Sequence, residues 1–203
     1  TAQEGAAPAS LSLLSGAADA DDGATLSVAN VTGLVQGITV DAAGLLTLDA
    51  GDPAFQSLGQ GQAQAFTIGY DVVDEHGAAV AQTAAVTVLG VNDAPTATAG
   101  TISTDPNTGV MVDVVGTLAF DPDANDALTL TGATLGAGQG GTVSVVNNQL
   151  LFDPGTAYSW MQPGDTALVD VTYTVQDQGG LTATSTVTVG VAVPNTGGGA
   201  NAF

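Results

Sequence analysis

The chain has 203 residues, of which 20 are Asp or Glu and none is Lys or Arg, so its formal net charge is −20 at pH 7. Because no basic side chain is available to neutralise phosphates, this composition excludes nucleic acid as a partner. The absence of Cys excludes disulfides, thiolate nucleophiles and the usual kind of structural zinc site.

Apolar residues make up 44% of the chain, but no run approaches the roughly 18 apolar residues of a membrane-spanning helix, so we expect no membrane insertion. Aromatic residues are only 4%, and Ala, Val, Leu, Thr and Gly dominate. This composition favours β-sandwiches with thin cores over disorder. Because the chain starts at Thr1 rather than Met, we expect a processed form or an excerpt of a longer chain.

Alternation of apolar and polar residues predicts short strands along the first half of the chain. They cover residues 10–14, 25–31, 38–40, 45–48, 66–72 and 81–91. Residues 41–44, between the third and fourth of these, are a hairpin signal. Acidic turns follow the first strand, at residues 19–23, and the fifth, at residues 74–77.

The second half of the chain repeats this plan with a period of about a hundred residues. The matched segments are residues 70–77 with 173–180, 83–88 with 184–189, and 19–21 with 121–123. A period of that size is typical of an immunoglobulin-like sandwich. We therefore predict an all-β chain of two tandem immunoglobulin-like β-sandwich domains, residues 1–93 and 94–194, followed by a Gly-rich tail, residues 195–203.

The two halves meet at Asn92-Asp93-Ala94-Pro95. Asn and Asp favour turns, and Pro95 has no amide N–H to donate to a β-ladder. We interpret this segment as a hinge that carries oxygen ligands.

Residues 66–91 and the Asn92-Asp93-Ala94-Pro95 segment resemble the tandem cadherin-like and VCBS-type repeats of large bacterial surface proteins. Those repeats end in a Tyr-x-Val-x-Asp-x-x-Gly turn, a Thr/Val-rich strand and a Gly-x-Asn-Asp-Ala-Pro junction, and the next repeat opens with an Asp-x-Asp turn. Both halves of the chain carry most of this pattern. The resemblance implies a secreted adhesin or biofilm-matrix protein on the bacterial cell surface, with calcium at the junctions and with neighbouring repeats or copies of itself as partners.

The residues themselves also point to calcium. Ca²⁺ takes about 6–8 oxygen ligands from flexible loops, and clustered carboxylates repel one another unless a cation lies among them. We predict a calcium site at the middle junction that takes its ligands from the turn before the last strand of the first half, the hinge and the acidic turn of the second half. Those ligands are Asp74, Glu75, Asn92, Asp93, Asp105, Asp121 and Asp123. Magnesium fits less well because it demands a tight octahedron.

Two further sites are expected to be incomplete. Glu4, Asp19, Asp21 and Asp22 are predicted to form half a calcium site at the N-terminal end of the chain. At the C-terminal end we expect weak binding, because only Asp177 is retained there and calcium affinity rises with the number of charged ligands. The alternative for every one of these residues is an ordinary solvated turn.

Three classes of function stay open. The first is a calcium-rigidified structural or adhesive module. The second is a self-assembling subunit of a filament or surface layer, for which residues 1–14 are the candidate segment to be lent to a neighbour's sheet. The third is a module that binds a glycan or another cell-surface ligand, for which Tyr158 and Trp160 are the aromatic candidates.

An enzyme is not expected. His76 is the only His and is predicted to lie at the tip of a turn, where it is more typical of a surface residue than of a catalytic triad. Paired carboxylates are also the catalytic groups of glycosidases, but the chain has few aromatic residues with which to line a sugar-binding cleft.

Overall fold

The computed structural model describes residues 1–21 and 23–195. Asp22 and all of the predicted tail except Asn195 therefore lie outside the described residues. The chain divides into two compact units, Thr1–Asp93 and Ala94–Phe203. Both units are built mainly from β-strands that form layered sheets, so the predicted all-β fold of two sandwiches is confirmed.

The first unit has a four-stranded sheet packed over a three-stranded one. Its strands are β1 (Ala2–Gln3), β2 (Ala9–Ser12), β3 (Ser27–Thr32), β4 (Ile38–Val40), β5 (Leu45–Leu48), β6 (Ala63–Val73) and β7 (Ala79–Leu89), with a 3-10 helix at Pro53–Phe55. The larger sheet has the order β1-β7-β6-β3 and the smaller one β2-β5-β4. The predicted strands are present, and β1 is an addition that the sequence pattern did not indicate.

The core of the first unit follows from the alternation along its strands. Ile68 on β6 and Val88 on β7 are fully buried, and Leu46 on β5 faces them from the smaller sheet. The 3-10 helix adds Phe55, whose ring meets that of Phe66 edge-on with 5.8 Å between the centroids. The other buried side chains of this core are aliphatic.

The second unit has a similar arrangement of strands, and its first and third sheet neighbours pair over more residues than those of the first unit. Its strands are β8 (Thr96–Ala97), β9 (Gly100–Thr104), β10 (Val110–Val112), β11 (Ala119–Phe120), β12 (Thr129–Leu135), β13 (Thr142–Val146), β14 (Gln149–Asp153), β15 (Thr166–Gln176) and β16 (Thr182–Ala192). They form sheets of order β12-β15-β16-β9, β10-β14-β13 and β11-β8. A single helical turn, α1 (Val114–Thr117), begins at Asp113, whose carboxylate accepts a hydrogen bond from the Gly116 N–H.

Tyr173 lies at the centre of the second core. Its side chain is fully buried, and its hydroxyl donates to the carbonyl oxygen of Thr98 at 2.7 Å, with that of Leu118 at 3.3 Å. Burial raises the pKa of this hydroxyl, although its hydrogen bonds act in the opposite direction. The hydrogen bond ties the segment between β8 and β9 to the middle of the larger sheet.

Each unit has two distinct ends, because its last two strands form a hairpin of 11-residue strands. We call the end that holds the hairpin turn, residues 74–78 or 177–181, the leading end. The trailing end is where the last strand finishes, at Leu89 or Ala192. An 11-residue strand spans about 35 Å, so residues at opposite ends of one unit cannot share a ligand.

No helix in the described part of the chain has both the length and the apolar character needed to cross a membrane.

Candidate metal centre

The acidic turn of the second unit lies at its leading end. Asp121 follows β11 directly, and its Oδ1 accepts a hydrogen bond of 2.9 Å from the N–H of Asp123. The N–H of Asp126 then donates to the carbonyl oxygen of Asp123. Asn125 turns the chain with a φ of +69°, a left-handed conformation that Asn tolerates better than most residues. The turn thus folds back on itself and gathers its carboxylates.

The hairpin turn between β15 and β16 supplies another carboxylate at the same end. The Oδ1 of Asp177 accepts a hydrogen bond of 2.8 Å from the N–H of Leu181, and the backbone N–H of Asp177 donates to the carbonyl oxygen of Leu181. These two bonds fix the position of Asp177, which is 6% exposed.

The two turns are tied to each other by Asp126, whose Oδ1 accepts a hydrogen bond of 3.0 Å from the N–H of Gln178. As a result, Asp121, Asp126 and Asp177 each present a carboxylate oxygen, and the three oxygens lie within 4.8 Å of one another. Asp121 and Asp177 are buried and Asp126 is half-buried.

The electrostatics of this cluster are unfavourable without a counterion. The pKa of Asp121 is raised, first by burial and then by the negative charges of Asp126, Asp123 and Asp177, while the hydrogen bond from the Asp123 N–H opposes the rise. Asp121 is 9% exposed, and its buried Oδ2 has no hydrogen-bond partner among the described residues. A buried carboxylate oxygen of this kind costs free energy unless a proton or a cation meets it.

The donor set fits a hard divalent cation. Two oxygens bound to one Ca²⁺ at about 2.3–2.6 Å are separated by at most about 5 Å, which agrees with the 4.8 Å limit of the cluster. All three donors are carboxylates, without the His or Cys that Zn²⁺ prefers. Because the sequence contains no Lys or Arg, no side chain could neutralise the cluster with a permanent positive charge.

The structure groups the predicted ligands differently from the sequence analysis. Asp121 belongs to the cluster, and Asp123 is buried beside it in the same turn. Asp126 was missed because the first repeat has Ala24 at the matching position, so the repeat comparison gave no signal there. Asp177 was expected at the C-terminal end, but it lies at the leading end beside Asp121. That expectation was wrong.

The predicted grouping of Asp74 and Glu75 with the hinge is not found. Both residues lie in the turn before β7, at the leading end of the first unit, where the Glu75 carboxylate accepts a hydrogen bond of 2.9 Å from the N–H of Thr25. Asn92 and Asp93 follow the other end of β7 and are half-buried. The full length of β7 separates the two pairs.

Glu4 is likewise at the opposite end from its predicted partners. It follows β1, its N–H donates to the carbonyl oxygen of Leu89, and its Oε2 accepts a hydrogen bond of 3.4 Å from the N–H of Val91. Glu4 therefore lies at the trailing end, beside the hinge. Asp19 and Asp21 are exposed and lie in the loop before β3, at the leading end of the first unit. Asp22 lies outside the described residues.

Asp105 lies at the trailing end of the second unit, away from Asp121. It follows β9, which runs parallel to β16 with Thr104 opposite Val191. Its pKa is lowered by hydrogen bonds from the side chain of Thr108 and the N–H of Asn107. Asp105 therefore does not contribute to the cluster at the leading end.

The other sequence candidates do not form a second site. His76 lies at the tip of the hairpin turn with its side chain 74% exposed, and its Nδ1 is 3.6 Å from Glu75 Oε1. Tyr158 is buried, and its hydroxyl donates to the carbonyl oxygen of Gly140, so it closes one side of the core. Trp160 is 64% exposed. The aromatic pair therefore does not form a continuous surface on which a sugar ring could stack.

Residues 92–190 match the family described as the bacterial Ig domain. The match covers nearly all of the described second unit and just under half of the chain. It confirms the predicted resemblance to immunoglobulin-like repeats of bacterial proteins for that part of the sequence. Comparison with curated protein sequences gave no match.

Several solved cadherin structures are similar to the chain. Human mucin-like protocadherin EC1-2 has 21% identity and a TM-score of 0.49, with 85% of this chain and 84% of that chain covered. Mouse cadherin-23 EC22-24 has 17% identity and a TM-score of 0.45, with 83% and 53% covered. Drosophila N-cadherin EC1-4 has 17% identity and a TM-score of 0.41, with 85% and 43% covered.

Proposed function

We propose that the chain, whose second unit matches bacterial Ig domains, is a non-enzymatic extracellular module of a bacterial surface or matrix protein, and that it binds Ca²⁺ through Asp121, Asp126 and Asp177. The observation that carries the calcium proposal is the buried Oδ2 of Asp121, which has no partner among the described residues and lies among neighbouring carboxylates. A divalent cation would coordinate this oxygen and would also offset the repulsion among the carboxylates.

Calcium is proposed to stiffen the chain rather than to fold it. Each unit has its own core of buried aliphatic and aromatic side chains, so neither needs a metal in order to collapse. Asn92 and Asp93 stay proposed as further oxygen ligands, since they belong to the segment that leads into the second unit. Metal binding at this segment would restrict the motion of the linker.

Isothermal titration calorimetry can test the calcium site directly. We expect the wild-type chain to bind Ca²⁺ and the Asp121→Asn variant to lose the tightest binding by at least tenfold, because one charged ligand is removed. Asp19→Asn is the matched control, since Asp19 holds the same place in the first repeat but is exposed. Equal losses in the two variants, or no calcium binding by the wild type, would overturn the proposal.

Small-angle scattering tests the stiffening separately. We expect the scattering curve of the wild-type chain to differ between calcium and chelator, and that of Asp121→Asn to stay the same in both. Identical wild-type curves, in a protein that calorimetry shows to bind calcium, would contradict stiffening while leaving the site intact.

A further inference from the structure

The strand β13 lies at one edge of the sheet β10-β14-β13 in the second unit. It pairs with β14 in an unbroken antiparallel register from Thr142 to Val146. Among the described residues, no other strand pairs with β13, and no hydrogen bond outside this ladder involves its backbone. One side of the β13 backbone is therefore unpaired, and we call this side the open edge.

The turn after β13 shows which of its backbone groups form the ladder with β14. Asn147 and Asn148 have φ angles of +50° and +62°, and two such residues in succession are typical of a two-residue type I′ hairpin turn. In that turn the residues on either side, Val146 and Gln149, form a hydrogen-bonded pair.

Hydrogen-bonded pairs alternate with non-hydrogen-bonded pairs along an antiparallel ladder. Ser144, two positions before Val146, is therefore hydrogen-bonded to Leu151 opposite it. The residues on either side of Ser144 do not bond to β14, so the N–H and C=O groups of Val143 and Val145 point to the open edge.

The corresponding edge strands carry features that disfavour pairing with another chain, whereas β13 does not. β3 and β12 each contain a bulge in their register, and the N–H of Leu130 on β12 donates to the side chain of Asn148 at 2.7 Å. β4 has only three residues and is followed directly by Asp41. Because bulges, shortness and charge are the usual protections of strand edges, β13 is the most open of these four edges.

Charge restricts what can approach the open edge. Residues 127–152, which include β12 and β13, contain no Asp or Glu, and this is the longest such run among the described residues. A basic partner would be drawn to the acidic turns instead. Two copies of a chain with a net charge of −20 repel each other, and this repulsion is weakest where acidic side chains are absent. The open edge therefore suits an equally neutral strand.

We propose that β13 pairs with β13 of a second copy of the chain, in antiparallel orientation about a two-fold axis through Ser144. Val143 then lies opposite Val145 of the second copy as a hydrogen-bonded pair, so every N–H and C=O of these two residues at the open edge gains a partner. No charged residue meets another in this register, and the smaller sheets of the two copies become one continuous sheet.

The apolar side chains of β13 favour the same register. Val143 packs against the core, and Val145, two residues later, faces the same side of the sheet but is 39% exposed. Val143 of the second copy would lie directly beside Val145 and cover part of it. The pairing thus removes apolar surface from water as well as satisfying backbone groups.

Pairing of a strand with itself about a two-fold axis is a closed interface, because each copy contributes the same edge. We therefore expect dimers and not filaments. The dimer is a property beyond the proposed function, and no residue of β13 belongs to the carboxylate cluster. Residues 1–14, predicted from the sequence as a lent segment, take no part in it.

A single cysteine tests the register, because the chain has none of its own. Ser144 is exposed and would face its copy in a non-hydrogen-bonded pair, whose Cα atoms lie about 4.5 Å apart, within the range of a disulfide. Under mild oxidation we expect at least tenfold more covalent dimer from Ser144→Cys than from Thr39→Cys. Thr39 is the matched control, since it is the exposed central residue of the edge strand β4. Equal yields would overturn the proposal.

Analytical ultracentrifugation of the full chain in chelator provides a readout without any cysteine. We expect the wild type to dimerise as its concentration rises, and to dimerise more strongly when added salt screens the net charge. Ser144→Glu would put like charges directly opposite each other at the axis and should weaken dimerisation at least tenfold. Thr39→Glu adds the same charge elsewhere and should weaken it far less, with both variants keeping the melting temperature of the wild type.

Three outcomes would refute the pairing. They are a wild type that stays monomeric up to about 1 mM at high salt, association into species larger than dimers, and equal weakening by Ser144→Glu and Thr39→Glu. Calorimetry on Ser144→Glu reads calcium binding independently, so failure of this proposal can be distinguished from failure of the proposed function.

Discussion

The carboxylate of Asp126 accepts a hydrogen bond of 3.0 Å from the N–H of Gln178, a residue 52 positions later in the chain. In the first unit the corresponding tie runs the other way, from the N–H of Thr25 to the carboxylate of Glu75. The second unit therefore places its tying carboxylate on the acidic turn, near Asp121 and Asp177. This exchange adds Asp126 to the carboxylate cluster of the second unit, whereas Asp19 and Asp21 in the acidic turn of the first unit are exposed.

Replacing Asp177 by Asn should weaken calcium binding as severely as replacing Asp121, by tenfold or more, because both residues supply a buried carboxylate to the same cluster. Asp74→Asn is the matched control, since Asp74 holds the corresponding place in the hairpin turn of the first unit. Calorimetry on the three variants checks this. A mild effect of Asp177→Asn would show that the ion lies elsewhere.

In chelator, the stability difference between wild type and Asp121→Asn should depend on pH. The raised pKa of Asp121, due first to burial and then to its carboxylate neighbours, means that the folded state holds a proton that the unfolded state has already released. Stability of the wild type therefore falls as pH rises from the ordinary carboxyl pKa through the raised one. Urea unfolding at pH 4 and pH 7 should show that the variant gains relative to the wild type at the higher pH. A constant difference would contradict this interpretation of the cluster.

The contribution of Asp105 to stability should depend on pH in the opposite direction. Hydrogen bonds from the Thr108 side chain and the Asn107 N–H lower its pKa, so its contribution to stability is present above the ordinary carboxyl pKa and is lost as pH falls through the lowered value. Because the side chain is exposed, the effect is expected to be small. Acid unfolding of Asp105→Asn should start from lower stability at pH 6 and converge with the wild type near pH 2. Parallel curves would rule out this linkage.

The two core tyrosines should respond differently to removal of the hydroxyl. Tyr173→Phe removes the hydroxyl of a fully buried side chain together with its hydrogen bond to the carbonyl of Thr98, and we expect a loss of about 0.5–1.5 kcal/mol. Tyr70→Phe should cost less, because Tyr70 is partly exposed and water can reach the carbonyl of Leu13. Chemical denaturation of the two variants provides the comparison. A larger loss for Tyr70→Phe than for Tyr173→Phe would contradict this ranking.

Gly90 is predicted to tolerate no side chain. A Cβ at this position would collide with the backbone carbonyl groups of Leu58 and Gly59, so Gly90→Ala should cost about 1–3 kcal/mol through overpacking. Gly132 on β12 is the control, since nothing lies within 4 Å of the point that a Cβ would occupy there. Gly132→Ala should be neutral or stabilising by up to about 1 kcal/mol. Thermal unfolding that ranks the two variants in the reverse order would contradict this.

Much of the fold could be predicted from local patterns. The alternation around Ile68 and the turn signal at residues 41–44 each depend on only a few neighbouring residues. The structure has β6 and the hairpin of β4 and β5 at the places that these patterns predict. The helical turn α1 was not predicted, because it depends on the Asp113 cap rather than on an apolar period.

The sequence did not reveal which predicted ligands lie together, because closeness in sequence to β7 does not say at which end of that strand a residue lies. Asp74 and Asn92 both flank β7, but they flank opposite ends of an 11-residue strand. The length of that strand was the signal that could have separated them, since about 35 Å of extended chain lies between its ends. Asp126 had no counterpart in the other repeat, so a comparison of repeats could not reveal it.

The parallel pairing of β9 with β16 also bears on how the second unit withstands mechanical tension. Pulling the start and the finish of the second unit apart would slide these two neighbouring strands past each other, so hydrogen bonds along five paired positions would share the load at once. Under a steadily increasing force the second unit should therefore stay folded until these bonds break together, and then extend in a single step.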